Sequence, residues 1–218
     1  AFFSFIGSAK VGWMLRSKLA PGTRCALEHG GAAPVIVSKD ADMKDAVSRL
    51  AKGGFYHGGQ VCVSVQRVFA DAEIAKELAA AIAVEGNKMK IGDPTKADTE
   101  VGPLIKPAEV DRVHDWVTAA IDGGAKLISG GEKISESCYK PTVLFAPPAD
   151  AEVSKSEIFG PVICVYPFKD FDEAINRANS LDVSFQAAVF TKNLDSALRA
   201  YKRLDGTAIM VNDHTAFR

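Results

Sequence analysis

The chain has 218 residues, 47% hydrophobic and 24% charged, with a formal net charge of −1. That length can bury a sizeable core, in one large domain or two small ones, and so neutral a balance excludes the basic surface that a main role on nucleic acid needs. No apolar run is long enough to cross a bilayer, and the four cysteines, Cys25, Cys62, Cys138 and Cys164, stand at no metal-ligand spacing.

Scattered thiols suit a reducing compartment, so a cytoplasmic protein is expected, with no signal peptide, no membrane and no metal. The opening "AFFSFIG" reads as a strand already under way, and "KVGWMLRSKLA" carries apolar residues at helical spacing. "CALE" and "APVIVS" are short apolar runs, hence strands. "DMKDAVSRLAKGGFY" reads as a helix with Asp42 as its N-cap, followed by the strand "VQRVFAD" and the Ala-, Glu- and Lys-rich helix "AEIAKELAAAIAVEGNKM". A long polar loop, "GDPTKADTEVGPLIKP", leads to the helix "AEVDRVHDWVTAAIDGG" and the strand "AKLIS". "KPTVLFAP" and "GPVICVYPF" are strands; "DFDEAINRANS", "QAAVFTK", "LDSALRAYKRL" and "GTAIMVN" continue as helix, strand, helix and strand. This alternation, with strands apolar throughout, predicts an α/β fold with a mostly parallel twisted sheet covered by helices. Neither end has the polar, frayed residues of a natural terminus, so a piece of a longer protein is expected.

Three stretches can carry chemistry. In "GGFYHGGQVCVS" a cysteine follows a glycine-dense segment at Gly53, Gly54, Gly58 and Gly59. Glycine serves where the chain turns sharply or a ligand comes close. A thiol on such a turn, among backbone amides, can be partly ionised and can use those amides to hold an oxyanion. The competing reading of Cys62 is a small buried hydrophobe. Cys25 and Cys164 lie in strand patterns and read as core; Cys138, in a polar loop, reads as surface. In "CALEHGGAAPVIV", Glu28 closes an apolar strand. It is either a solvated strand end or a general base whose partial desolvation raises its pKa. In "SKSEIFGPV", Glu157 can accept hydrogen bonds from ribose hydroxyls and Phe159 can pack on a flat heterocycle, although a Gly-Pro turn so flanked is common.

Taken in order, these stretches resemble the aldehyde dehydrogenase superfamily. "FIGSAKVG" is similar to its Phe-Thr-Gly-Ser-x-x-x-Gly segment, and "LEHGGAAPVIV" to Leu-Glu-Leu-Gly-Gly-Lys-x-Pro-x-Ile-Val. "GGQVCVSVQRVF" resembles the segment around the catalytic cysteine, and "SEIFGPV" the Glu-x-Phe-Gly-Pro-Val motif, with "IGDP" and "VGPLI" as further landmarks. The resemblance implies that residues 1–28 are the last segment of a dinucleotide-binding domain and 29–218 the cysteine-bearing catalytic domain. It implies oxidation of an aldehyde to a carboxylic acid with NAD or NADP. Cys62 would attack the carbonyl to give a thiohemiacetal and then a thioester, and Glu28 would activate the hydrolytic water. Gly7 and Ser8 would lie by the pyrophosphate, Glu157 on the nicotinamide ribose, Phe159 near the nicotinamide and Glu109 near the adenine ribose. Thr215 and Phe217 would line the substrate tunnel, and the full-length enzyme would be a homo-oligomer.

The sequence also departs from the family. His29 stands where leucine is usual, and Ile6 where threonine is. The family's oxyanion asparagine and most of its dinucleotide site precede the matched region. One lost oxyanion donor costs about 10²–10³ in rate, so the isolated chain is expected to be inactive on aldehydes, and the surface facing the absent half to be apolar. A CoA-acylating enzyme is the alternative, but that branch has no use for Glu28. A cysteine hydrolase pairing Cys62 with His57 or His29 is a further one, although no Asn or Asp stands near to orient the histidine. His57 is read as a structural residue at a helix end.

Overall fold

Strand and helix alternate along the chain in the computed structural model, which describes residues 1–183 and 185–216. The order is β1 Phe2–Ile6, α1 Ala9–Ser17, β2 Arg24–Glu28, β3 Ala33–Val37, α2 Met43–Phe55, a 3-10 turn at Tyr56–Gly59, β4 Val65–Asp71 and α3 Ala75–Lys88. Then come α4 Pro107–Asp122, β5 Lys126–Ser129, β6 Thr142–Phe145, the one-turn α5 Glu152–Lys155, β7 Val162–Phe168, α6 Phe171–Ala178, β8 Gln186–Phe190, α7 Leu194–Arg203 and β9 Ala208–Val211. The sheet has seven strands in the order β5-β6-β7-β4-β3-β8-β9, and β1 and β2 form a separate parallel pair. Every neighbour in the large sheet is parallel except β5 on β6. The expected α/β class is what forms.

Alternation of side chains along each strand explains why the strands are apolar throughout. In β7, Ile163 and Val165 face Leu50, Leu78 and Ile82 of α2 and α3. Cys164, Tyr166 and Phe168 face the other way, among Val113 and Val117 of α4 and Ile175 of α6. Asp42 caps α2 as expected, its carboxylate accepting from the Asp45 amide at 3.1 Å. Asp170 and Asn193 do the same for α6 and α7. Among the described residues, no helix is long and apolar enough to cross a membrane.

Two thiols differ from expectation. Cys138 is buried: its amide donates to Ser135 Oγ at 3.0 Å, and its carbonyl accepts from Ile134 N–H, folding the polar loop over it. Cys25 is only half-buried, because the β1–β2 pair has an open face. Cys164 is core as expected, and burial pushes its thiol up to about 12. The region of β1 and α1 is strongly apolar on its surface: Phe2, Ile6, Val11, Trp13 and Met14 are all exposed.

Candidate active site

Because β7, β4 and β3 are successive parallel strands, the segments entering them meet at one end of the sheet, at the strands' amino ends. Ala33 is level with Val65, and Arg67 with Cys164. The three entering segments carry Glu28, Cys62 and the Glu157–Phe159 pair. The topology therefore puts the chain segments that carry the residues the sequence singled out at one end of the sheet.

The Cys62 segment is shaped by backbone geometry. Gly53 and Gly54 are not turn residues: they sit inside α2, where a Cβ on Gly54 would stand 2.5 Å from Ile163. The turn begins later, with His57 (φ 51°), Gly58 (φ 64°) and Gly59 (φ 70°) consecutively left-handed. Gly59 also meets the backbone of Gly160, where a Cβ would lie 2.1 Å from the carbonyl oxygen. A β-turn closed by Ser64 N–H donating to Val61 C=O at 2.9 Å then presents Cys62 at its second position, half-buried. Cys62 is thus neither sealed in the core nor on the outer surface.

Side chains anchor this segment to its surroundings. The Gln60 amide donates to Pro103 C=O at 3.1 Å and accepts from Ile105 N–H at 2.9 Å, holding the 102–105 loop. Thr215 Oγ donates to Val63 C=O at 2.7 Å. Thr215 is fully buried, so it braces the cysteine turn, where the resemblance had it lining a tunnel. Phe217 lies outside the described residues. Gln66 donates to Val153 and Ser156 carbonyls at 3.0 and 2.8 Å and accepts from Ile158 N–H at 2.9 Å. Gln60 and Gln66 were not singled out as functional from the sequence, yet "QR" interrupting the apolar strand "VQRVF" was a readable signal.

Glu28 ends β2, level with Ile6, and its carbonyl accepts from the Gly7 amide at 3.1 Å. Its side chain is exposed, which matches the solvated strand end that was one of its two readings. Gly7 and Ser8 lead into α1, which lacks a side-chain cap on its first amides, unlike α2, α6 and α7. His29 turns toward α1: its ring meets Trp13 edge-on at 5.5 Å, and its Nε2 is buried where a Cβ on Gly12 would be 2.0 Å away. That orientation commits the His29 ring to α1 packing. His57 is exposed, with its ring against Tyr56 at 4.8 Å.

Glu157 is half-buried, and burial pushes its carboxyl up to about 7, opposed in part by the Arg112 charge. Its Oε1 is buried without a hydrogen-bond partner among the described residues, packed against Gly30 so closely that a Cβ there would be 1.7 Å away. Phe159 is 40% exposed with φ 49°, a strained conformation for an aromatic residue. Ile158 before it is pinned on both sides: Gln66 takes its N–H, and Arg112 Nη2 donates to its C=O at 2.7 Å. Phe159 faces a groove of about 740 Å³ shared with His57, Gln60, Thr99 and Ile105. Glu109 is held by Arg112 at 2.7 Å, which keeps its carboxyl below the usual range. A second depression, of about 660 Å³, lies at the carboxyl ends of the strands around Lys39, Asp71 and Phe168, away from these residues.

The profile of the aldehyde dehydrogenase family matches residues 1–218. The chain is 35% identical over 216 residues to 3-sulfolactaldehyde dehydrogenase of Priestia aryabhattai, covering 99% of this chain and 45% of that protein. It is 36% identical over 217 residues to retinaldehyde dehydrogenase 3 of Homo sapiens, covering 98% of this chain and 42% of that protein. Its fold is similar to glyceraldehyde-3-phosphate dehydrogenase from Methanocaldococcus jannaschii complexed with NADP, with a TM-score of 0.95, 36% identity and coverage of 100% of this chain and 47% of the other. Aldehyde dehydrogenase 21 from Physcomitrella patens, in complex with succinate, matches at a TM-score of 0.95 and 34% identity, covering 100% of this chain and 45% of that one. The chain thus spans less than half the length of the relatives it matches. The chain belongs to the aldehyde dehydrogenase family.

Proposed function

We propose that this chain carries the catalytic centre of an NAD(P)-dependent aldehyde dehydrogenase that releases a free carboxylic acid. The observation that supports it most is the meeting of the Cys62 and Glu157–Phe159 segments at the adjoining amino ends of β4 and β7, with Glu28 on the chain that enters their neighbour β3. In this reading residues 1–28 are the last segment of a dinucleotide-binding domain, and 29–218 form the catalytic domain. The exposed apolar surface of β1 and α1 fits a segment made to be covered.

The Cys62 thiolate attacks the aldehyde carbonyl carbon, forming a thiohemiacetal whose oxyanion is held by the Cys62 backbone amide. The dinucleotide supplies the hydride acceptor. The Cys62 thioester that remains is hydrolysed when Glu28 takes a proton from water as the water oxygen bonds to the acyl carbon. The C–S bond breaks, the acid leaves, and the thiolate returns. The residues fit such a cofactor: Glu157 Oε1 is a buried, unpartnered acceptor suited to a ribose hydroxyl. The uncapped first turn of α1 beside Gly7 and Ser8 suits a pyrophosphate, and Phe159 offers a ring face to the nicotinamide. The partners are a small aldehyde and, for the full-length enzyme, further copies of itself in the cytoplasm.

The test is an aldehyde panel with NAD+ and NADP+ on the natural protein carrying these residues, with Cys62→Ser as control. Free acid formed only with Cys62 intact supports the reading. Acyl-CoA as product would replace it with the CoA-acylating alternative, and turnover unaffected by Cys62→Ser would end it.

A further inference from the structure

Directly behind the cysteine turn, β4 carries a charge that the core has no evident need of. Arg67 is 3% exposed, next to the buried Gln66 in a strand whose other buried residues are apolar. Its guanidinium donates only to backbone carbonyls: Nε to Ala32 at 2.9 Å, Nη2 to Ala178 at 2.9 Å and Nη1 to Arg177 at 3.3 Å. Among the described residues, no carboxylate pairs with it. Burial lowers its pKa to about 10, so it stays ionised at neutral pH. Burying an unpaired charge is costly, and a well-packed apolar side chain is often the cheaper occupant of such a place. The carbonyls it holds are therefore the reason to look for.

Two of them end α6, where a cation also meets the negative end of the helix. The third, Ala32, closes the loop His29-Gly30-Gly31-Ala32 that joins Glu28 to β3. Gly30 and Gly31 have no side chains to fix this loop. At its far end His29 is packed on α1, and in its middle Gly30 rests on the Glu157 carboxylate. Arg67 supplies the anchor to β4. It reaches Ala32 across a β-bulge: Ala33 pairs with Val65 and Pro34 with Arg67, leaving Gln66 as the extra residue. Bulges of this kind re-aim side chains next to active sites. Here the bulge turns Gln66 toward the 153–158 segment and Arg67 toward the Glu28 loop.

Resting on the reading of Cys62 as nucleophile and Glu28 as base, we infer that Arg67 is a positioning residue for thioester hydrolysis. By holding the Ala32 carbonyl to the strand that bears Cys62, it fixes where the Glu28 carboxylate stands relative to the acyl group. Attack by the sulfur does not involve Glu28; hydrolysis of the thioester does. Loss of the anchor should therefore slow the second step and spare the first.

An activated ester separates the steps without a cofactor. With 4-nitrophenyl acetate the Cys62 thiolate forms a C–S bond to the acyl carbon as the acyl C–O bond breaks and nitrophenolate leaves. Water then hydrolyses the thioester, Glu28 accepting its proton, to give acetate and thiolate. Stopped-flow absorbance on the 218-residue chain reads acylation as the burst and deacylation as the steady rate. Arg67→Lys keeps the charge but cannot reach three carbonyls; Arg67→Met keeps the buried stem and serves as the second variant if the first unfolds. The expected result is a burst rate within about twofold of the unsubstituted chain and deacylation slower by about 10- to 100-fold, the loss that a small misplacement of a reacting group brings. In a Glu28→Gln background the same substitution should slow deacylation no further, because the two act through one carboxylate. Equal loss in both steps, deacylation within twofold of normal, or an additional loss beside Glu28→Gln would overturn the inference. A missing burst in the unsubstituted chain would overturn the nucleophile reading and this inference with it, an outcome distinguishable because no variant is involved.

Discussion

Replacing Glu157 by glutamine should flatten the pH dependence of stability between about pH 5 and 8. In the native chain burial holds the Glu157 carboxyl near 7 against an ordinary value of 4.5, with Arg112 offsetting part of the rise. The native state thus keeps a proton that the unfolded chain has already released above pH 4.5. Stability is highest below that value, falls as pH rises, and levels off above about 7. A rise of this size corresponds to roughly 3 kcal/mol at full strength. The side chain is partly open to solvent, so screening reduces the effect to about 1–2 kcal/mol. Urea unfolding at pH 5, 6, 7 and 8 measures it. The wild-type chain should lose about 1–2 kcal/mol more across that range than Glu157→Gln, other titrating groups cancelling in the difference. Parallel curves for the two proteins would show that the carboxyl is not held in an apolar setting, and the argument from its orphaned oxygen would fail with them.

Three further substitutions probe how the site is held. Gly59→Ala should destabilise the chain by about 1–3 kcal/mol, since φ 70° and a Cβ 2.1 Å from the Gly160 oxygen both oppose it; thermal unfolding measures the change, and a neutral result would contradict the close approach. Gln66→Leu leaves the buried Ile158 N–H without its acceptor, so a loss of about 1–3 kcal/mol is expected, together with faster amide exchange at Ile158 and Phe159. Thr215→Val should cost about 1–2 kcal/mol and change the alkylation rate of Cys62, while Thr215→Ser keeps the bond to Val63 and should do neither.

Much of the fold was legible because its strands are buried on both faces. "APVIV" and "VICVYPF" announce a parallel sheet under helices by having no polar side to show water. Asp42 was legible as a cap because its carboxylate acts on an amide three residues away. Features that depend on distant neighbours were not. Gly53 and Gly54 look like turn residues, but they let α2 settle onto Val65 and Ile163, whose closeness only the sheet order sets. Cys138 looked exposed because its loop is polar, yet a local hairpin buries it. Thr215 is far from Val63 in sequence, so no local pattern could report their bond. In the candidate site, Cys62 stood out by the glycine-dense segment before it. Arg67 did not, since its partners are backbone carbonyls, which leave no mark on the sequence of the residues that supply them.

The most direct check is to find where an acyl group is attached. The chain and its Glu28→Gln variant are mixed with the activated ester, quenched in acid and digested, and the peptides bearing each cysteine are weighed. The account predicts one acetyl group on the Cys62 peptide, transient in the unsubstituted chain and accumulating in Glu28→Gln, with Cys25, Cys138 and Cys164 unmodified. Acyl groups on another cysteine in place of Cys62, or an adduct on Cys62 that decays equally fast without the Glu28 carboxylate, would contradict it.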